Sequence, residues 1–168
     1  RPVYFWRPHE GGGYLGQWFL SPFTVDGETY ATAEMWMMVQ KARLFADEAI
    51  AKKMLATDDP KEHKALGRKV QNFDGAVWDG SKLQIVIDGN YHKFTASEDA
   101  DNLRSMLLAT GKRELVEASP RDRIWGVGFT EKNAGANRHR WGKNLLGKAL
   151  ESVRERLVEE EGKRKGGE

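Results

Sequence analysis

Glu34 and Lys41 stand seven residues apart in TAEMWMMVQKARLF, the segment from Thr32 to Phe45. At about 100° per residue, seven residues return a helical side chain almost to its starting direction, roughly 10 Å further along the axis. Met35, Met38, Val39, Ala42 and Phe45 make the broad apolar face of such a helix. Met38 and Phe45 flank the two charges on one side, Met37 and Leu44 on the other, while Gln40 and Arg43 mark a separate polar face. An apolar surround raises the pKa of a carboxyl and lowers that of an amine. The first is then ready to give a proton and the second to act as a nucleophile. Each residue alone has a simpler account, Glu34 complementing the positive helix end and Lys41 snorkelling from a core edge. The pair fits that account less well, because buried charges are costly unless they have partners or a task.

Other positions offer weaker chemistry. The chain has six tryptophans, of which Trp78, Trp125 and Trp141 sit beside glycine, aspartate or basic residues. Such rings are core residues or stacking platforms for a flat ligand. The glycine-rich stretch from Trp125 to Gly142 misses both common phosphate fingerprints. Glu131 stands where a dinucleotide motif needs its third glycine, and Asn144 replaces the Ser or Thr that would follow Gly142-Lys143 in a P-loop. What remains is a loop whose backbone can approach a ligand, with Arg138, Arg140 and Lys143 supplying positive charge. His9, His63, His92 and His139 have no metal-ligand spacing and form no legible Ser-His-Asp order. Asp122, three residues before Trp125, is either a turn aspartate or part of a site at the mouth of the loop.

These residues need elements to hold them. The aromatic, glycine-rich start of the chain, with turn signals at Pro22 and Asp26-Gly27, predicts short strands and loops. Helices are expected from the Thr32 cap, from Asp47 to Ala56, from the Asp59-Pro60 start, and from Ser97 to a stop at Gly111. SKLQIVIDGNYHKF reads either as a strand with an Asp88-Gly89 hairpin turn or as a buried helix. ELVEAS reads as a short strand. Leu146, Leu150, Val153 and Leu157 repeat at helical spacing, and the tail EEEGKRKGGE is expected to be solvated and disordered.

The 168 residues suffice for one domain with its own core. Without cysteine the chain has no disulfide, thiolate zinc site or cysteine nucleophile. No apolar run approaches the roughly 18 residues of a membrane span, and no signal-peptide pattern opens at Arg1. A cytoplasmic protein that does not engage membranes is expected. A formal net charge of +2 does not by itself argue for nucleic acid.

Taken in order, LGQWFLSPFTVDGETYATAEMWMMVQKARLF, ALGRKV, Trp78, YHKF, MLLATGKRELVEASPRDRIWGVG and WGKNLLGKALESVRERL resemble the NADAR family of YbiA-like N-glycosidases. The likeness runs over 5–158, leaving 159–168 as the charged tail. It implies a mainly α, compact, single-domain multihelical fold with a small β component near the N-terminus, and favours helix for SKLQIVIDGNYHKF. The family's active-site glutamate falls on Glu34, its lysine on Lys41 and its aspartate on Asp122. Trp78, Trp125, Gly126 and Asn144 match its other motifs, and Arg68 with the basic loop is expected to hold phosphates. Met35 departs from the family's usual histidine at a position expected to face the core.

The resemblance further implies cleavage of a bond between ribose C1 and an exocyclic amino group. The substrate expected first is ADP-ribosylated guanine in DNA, and the alternative is a phosphoribosylamino-pyrimidine of riboflavin synthesis. The chemistry requires neither metal nor cofactor. An ADP-ribosyltransferase toxin is the partner expected if the protein is an antitoxin. A reader that binds ADP-ribose or modified nucleic acid without cleaving it is the alternative of another class.

Overall fold

Strand β1 (Val3–Phe5) pairs in parallel with β4 (Leu115–Glu117), Val3 opposite Leu115 and Phe5 opposite Glu117. The structure, a computed structural model, describes residues 1–167. Two units divide the chain: Leu20–Ala100, and Arg1–Phe19 together with the residues from Asp101 onward.

The Leu20–Ala100 unit starts with the hairpin of β2 (Phe23–Val25) and β3 (Glu28–Tyr30). Asp26 and Gly27 take φ of 52° and 79° in its turn, the left-handed pair that matches strand twist. Four helices follow, and each begins on a side-chain cap. For α1 (Ala33–Leu44), Thr32 Oγ1 accepts from the Met35 N–H at 3.1 Å. For α2 (Glu48–Leu55), Asp47 Oδ1 accepts from Ile50 at 3.2 Å. For α3 (Pro60–Gly67), Asp59 Oδ1 accepts from Lys61 at 2.9 Å. For α4 (Gly75–Ala96), Asp74 Oδ1 accepts from Ala76 at 2.9 Å.

Helix α1 is the centre of this unit. Ala33, Met35, Trp36, Met37, Met38, Val39 and Ala42 are buried where it packs against α2, α3 and α4. The Trp36 ring lies 5.0 Å from those of Tyr30 and His92, and its Nε1–H donates to the Ile85 carbonyl at 3.0 Å. Of the two readings of SKLQIVIDGNYHKF, the structure shows the helix that the family resemblance favoured, with Asp88 and Gly89 inside α4. Gly89 is needed for close approach and not for a turn: a Cβ there would stand 2.5 Å from Trp36 Cδ1. Gly89→Ala is therefore expected to lower stability by about 1–2 kcal/mol, because overpacking outweighs alanine's gain in helix propensity. A urea midpoint that rises instead would show that Trp36 moves aside freely.

In the other unit, α5 (Ala100–Ala109) stops before Gly111, whose φ is +63°. Helix α7 (Leu145–Gly166) buries the predicted stripe of Leu146, Leu150, Val153 and Leu157. The stretch 125–142, expected to be an irregular loop, contains α6 (Glu131–Ala134) and a 3-10 segment (Gly135–Arg140). Buried Val116, Val127 and Ala134 pack with Tyr4, Phe129 and Trp141, which gives these short turns an apolar anchor. The tail also departs from expectation, because α7 continues through Gly166. Ion pairs Arg156–Glu160 and Lys165–Glu161 at helical spacing, and Lys163 to Lys165 in the last turn, support it beyond its last buried residue, Leu157. Glu168 lies outside the described residues. No helix among the described residues is long and apolar enough to cross a membrane.

Candidate active site

Glu34 and Lys41 project from α1 in the Leu20–Ala100 unit, and both are half-buried. Of their expected neighbours, Met37, Met38 and Phe45 are buried, whereas Leu44 is exposed. Gln40 and Arg43 occupy the polar side as expected, Arg43 clamping Glu28 with two bonds of 2.7 Å and reaching Glu48 at 3.1 Å. Met35 is fully buried, so its position faces the core.

Burial holds the Lys41 amine below the ordinary lysine pKa, and the nearby Glu34 carboxylate opposes that shift more weakly. Its Nζ lies 4.9 Å from the Phe73 ring centroid and 5.4 Å from that of Trp78. The electron-rich ring faces favour the ammonium, while desolvation disfavours it. Arg68 caps α3 and is exposed.

Phe73 is the residue that motif reading missed. It immediately precedes the Asp74 cap of α4, and Trp78 follows that cap by four residues, the spacing of a hydrophobic staple. That spacing was the available signal. What it lacked was Lys41, which arrives from a different helix.

Asp122, Trp125, Gly126 and Asn144 belong to the other unit. Asp122 Oδ1 accepts from the backbone N–H groups of Ile124 at 2.9 Å and Trp125 at 2.8 Å, so it holds the turn that carries Trp125 and Gly126. Gly126 is buried against β4: a Cβ there would meet Glu117 Oε2 at 2.7 Å and the Glu117 carbonyl at 2.8 Å. Asn144, at φ +51°, uses both ends of its amide on β4. It accepts from Glu117 N–H at 3.1 Å and donates to the Leu115 carbonyl at 2.9 Å. Its place is that of a brace between β4 and α7. In the basic stretch, Arg138 pairs with Glu114 at 2.8 Å and covers Trp141 at 4.4 Å, leaving Arg140 and Lys143 as exposed charges. A cleft of about 420 Å³ in this unit is lined by Tyr4, Trp6, Glu10, Gly12, Ala118 and Lys132, none of them predicted site residues.

The NADAR domain model matches residues 4–158. N-glycosidase R617 of Acanthamoeba polyphaga mimivirus is 43% identical over 148 residues, covering 84% of this chain and 85% of that protein. N-glycosidase YbiA of Escherichia coli (strain K12) is 30% identical over 156 residues, 93% of this chain and 88% of that one. Riboflavin biosynthesis protein VVA0006 of Vibrio vulnificus is 31% identical over 95% of this chain, which spans 39% of that protein's length. The NMR structure of E. coli YbiA superposes with a TM-score of 0.76 at 30% identity, over 95% of this chain and 86% of that one. The mainly helical, YbiA-like architecture expected from the motifs is thus borne out, and the names of the relatives support N-glycosidase activity. With its whole central stretch matched by the family model, the chain belongs to the NADAR domain family.

Proposed function

We propose that the protein is an N-glycosidase that removes ADP-ribose from the amino group of guanine in DNA, with Glu34 as the acid and Lys41 as the nucleophile. The observation that carries this reading is the half-buried Lys41 amine, depressed in pKa, sharing one helix stripe with Glu34. A protein that only bound ADP-ribose would gain nothing from an amine held in that state.

The glycosidic nitrogen of such a substrate keeps a hydrogen and a lone pair. Protonation of the ribose ring oxygen by Glu34 lets the C1–oxygen bond break, and the nitrogen lone pair forms a C1=N bond to the base. Neutral Lys41 adds to C1, a proton passes to the base nitrogen, and the C1–N bond to the base breaks. The guanine leaves with its amino group restored, and the sugar stays on Lys41 as an imine. Water then adds at C1, the lysine departs, and the released aldehyde recloses to ADP-ribose. The acid and the amine thereby divide one difficult displacement into easier steps.

Guanine is favoured over a pyrimidine by the likeness of TAEMWMMVQKARLF and SPRDRIWGVG to the de-ADP-ribosylating members of the family. The name of the Vibrio relative favours the second reading, a phosphoribosylamino-pyrimidine. A turnover assay offering both substrates separates them. Release of unmodified guanine sites from ADP-ribosylated DNA, at a higher kcat/KM than cleavage of the pyrimidine, is the expected result. The reverse ranking would move the protein to the riboflavin intermediates. An ADP-ribosyltransferase acting on guanine is the partner that would supply the preferred substrate, which makes the protein its antitoxin.

A further inference from the structure

The exposed aromatic residue beside Lys41 makes and breaks no bond in the chemistry above. Phe73 is 49% exposed, and Val77, one helical turn on, is 44% exposed. The segment that carries Phe73 is held from both sides. Asp47 Oδ2 accepts from the Gln71 N–H at 2.9 Å, Asn72 turns the chain at φ +61°, and Asp74 caps α4. The ring leans on buried Phe45 at 5.2 Å between centroids, in a tilted arrangement. Phe73 is thus an exposed ring on a braced support, its centroid 4.9 Å from the Lys41 amine.

We propose that Phe73 is the stacking residue for the leaving base, and that it sets the preference of this site for a two-ring purine over a single-ring pyrimidine. An amine about to attack stands about 3 Å from C1, and the base hangs from the same carbon through one nitrogen. The base ring must then lie within a few ångströms of Nζ, in the range where rings pair at about 4.5–7 Å between centroids. Two rings border that space, Phe73 and Trp78. Trp78 is half-buried, whereas Phe73 presents the more open surface, which a bicyclic base covers more fully than a monocyclic one. Val77 adds an apolar edge. Stacking present before and during bond cleavage lowers KM and leaves kcat unchanged.

The inference rests on the glycosidase reading of Glu34 and Lys41, and the wild-type arm of the test separates the two. The full chain and its Phe73→Ala, Phe73→Leu and Phe73→Trp variants are assayed on an oligonucleotide carrying ADP-ribosyl-guanine and on the phosphoribosylamino-pyrimidine. Phe73→Ala is expected to raise KM for the guanine substrate about 10-fold at unchanged kcat. The pyrimidine is expected to suffer less, Phe73→Trp to restore the wild-type KM, and Phe73→Leu, which still packs on Phe45, to behave like the alanine variant. Rescue by leucine, an unchanged KM in Phe73→Ala, or a loss confined to kcat would overturn the stacking assignment while the glycosidase reading stands. A wild-type protein that turns over neither substrate would remove both.

Discussion

Lys41→Met is expected to lower kcat/KM by about 10³-fold or more, and Lys41→Arg is expected not to restore it. Methionine matches the apolar flank made by Met37, Met38 and Phe45, so the fold has no reason to suffer. Arginine keeps a positive charge beside Glu34 and over the two rings. It fails because a guanidinium stays protonated and forms no imine with C1. The pair of variants therefore tells a nucleophile from a charge. If Lys41 only stabilised developing charge while water attacked directly, Lys41→Arg would recover most of the rate. The pH dependence has a definite sign. In the proposed mechanism the attacking form is the neutral amine, and burial moves its pKa downward from the usual value of about 10.4. The kcat/KM limb controlled by Lys41 thus rises with pH and levels off below the range of an exposed lysine.

Glu34→Gln is expected to reduce kcat by about 10²–10⁴-fold, the usual contribution of a positioned acid or base. Glutamine preserves the shape of the side chain in the first turn of α1 and removes only the proton that can be transferred. A second effect follows from Lys41. The Glu34 carboxylate raises the lysine pKa against the larger effect of burial, so the variant moves the Lys41 limb to still lower pH. Loss of rate with this acid-ward shift locates Glu34 beside the amine. Full turnover in Glu34→Gln would show that another group protonates the ring oxygen.

What the sequence made legible was local. The Thr32, Asp47 and Asp59 caps and the Asp26-Gly27 turn are decided within a few residues, and each lies where its chemistry indicated. The Glu34–Lys41 stripe was readable for the same reason, since one helix and a spacing of seven contain it. SKLQIVIDGNYHKF stayed open between hairpin and helix because its Asp88-Gly89 dipeptide also signals a turn, and only the Trp36 ring, from another helix, shows why a glycine stands there. The place of Phe73 beside Lys41 escaped because that lysine arrives from another helix. Asn144 matched a family motif, yet its amide ends on two β4 backbone groups that no spacing in the chain reveals. Tertiary packing decided each of these cases.

The most direct test of the account is chemical trapping. Sodium borohydride added during turnover of ADP-ribosyl-guanine DNA reduces an imine to a stable amine, and mass spectrometry of the digested protein locates the attached sugar. The account predicts one sugar adduct, on Lys41, absent without substrate and absent from Lys41→Arg. Normal turnover with no adduct on Lys41 at any quench time would contradict it.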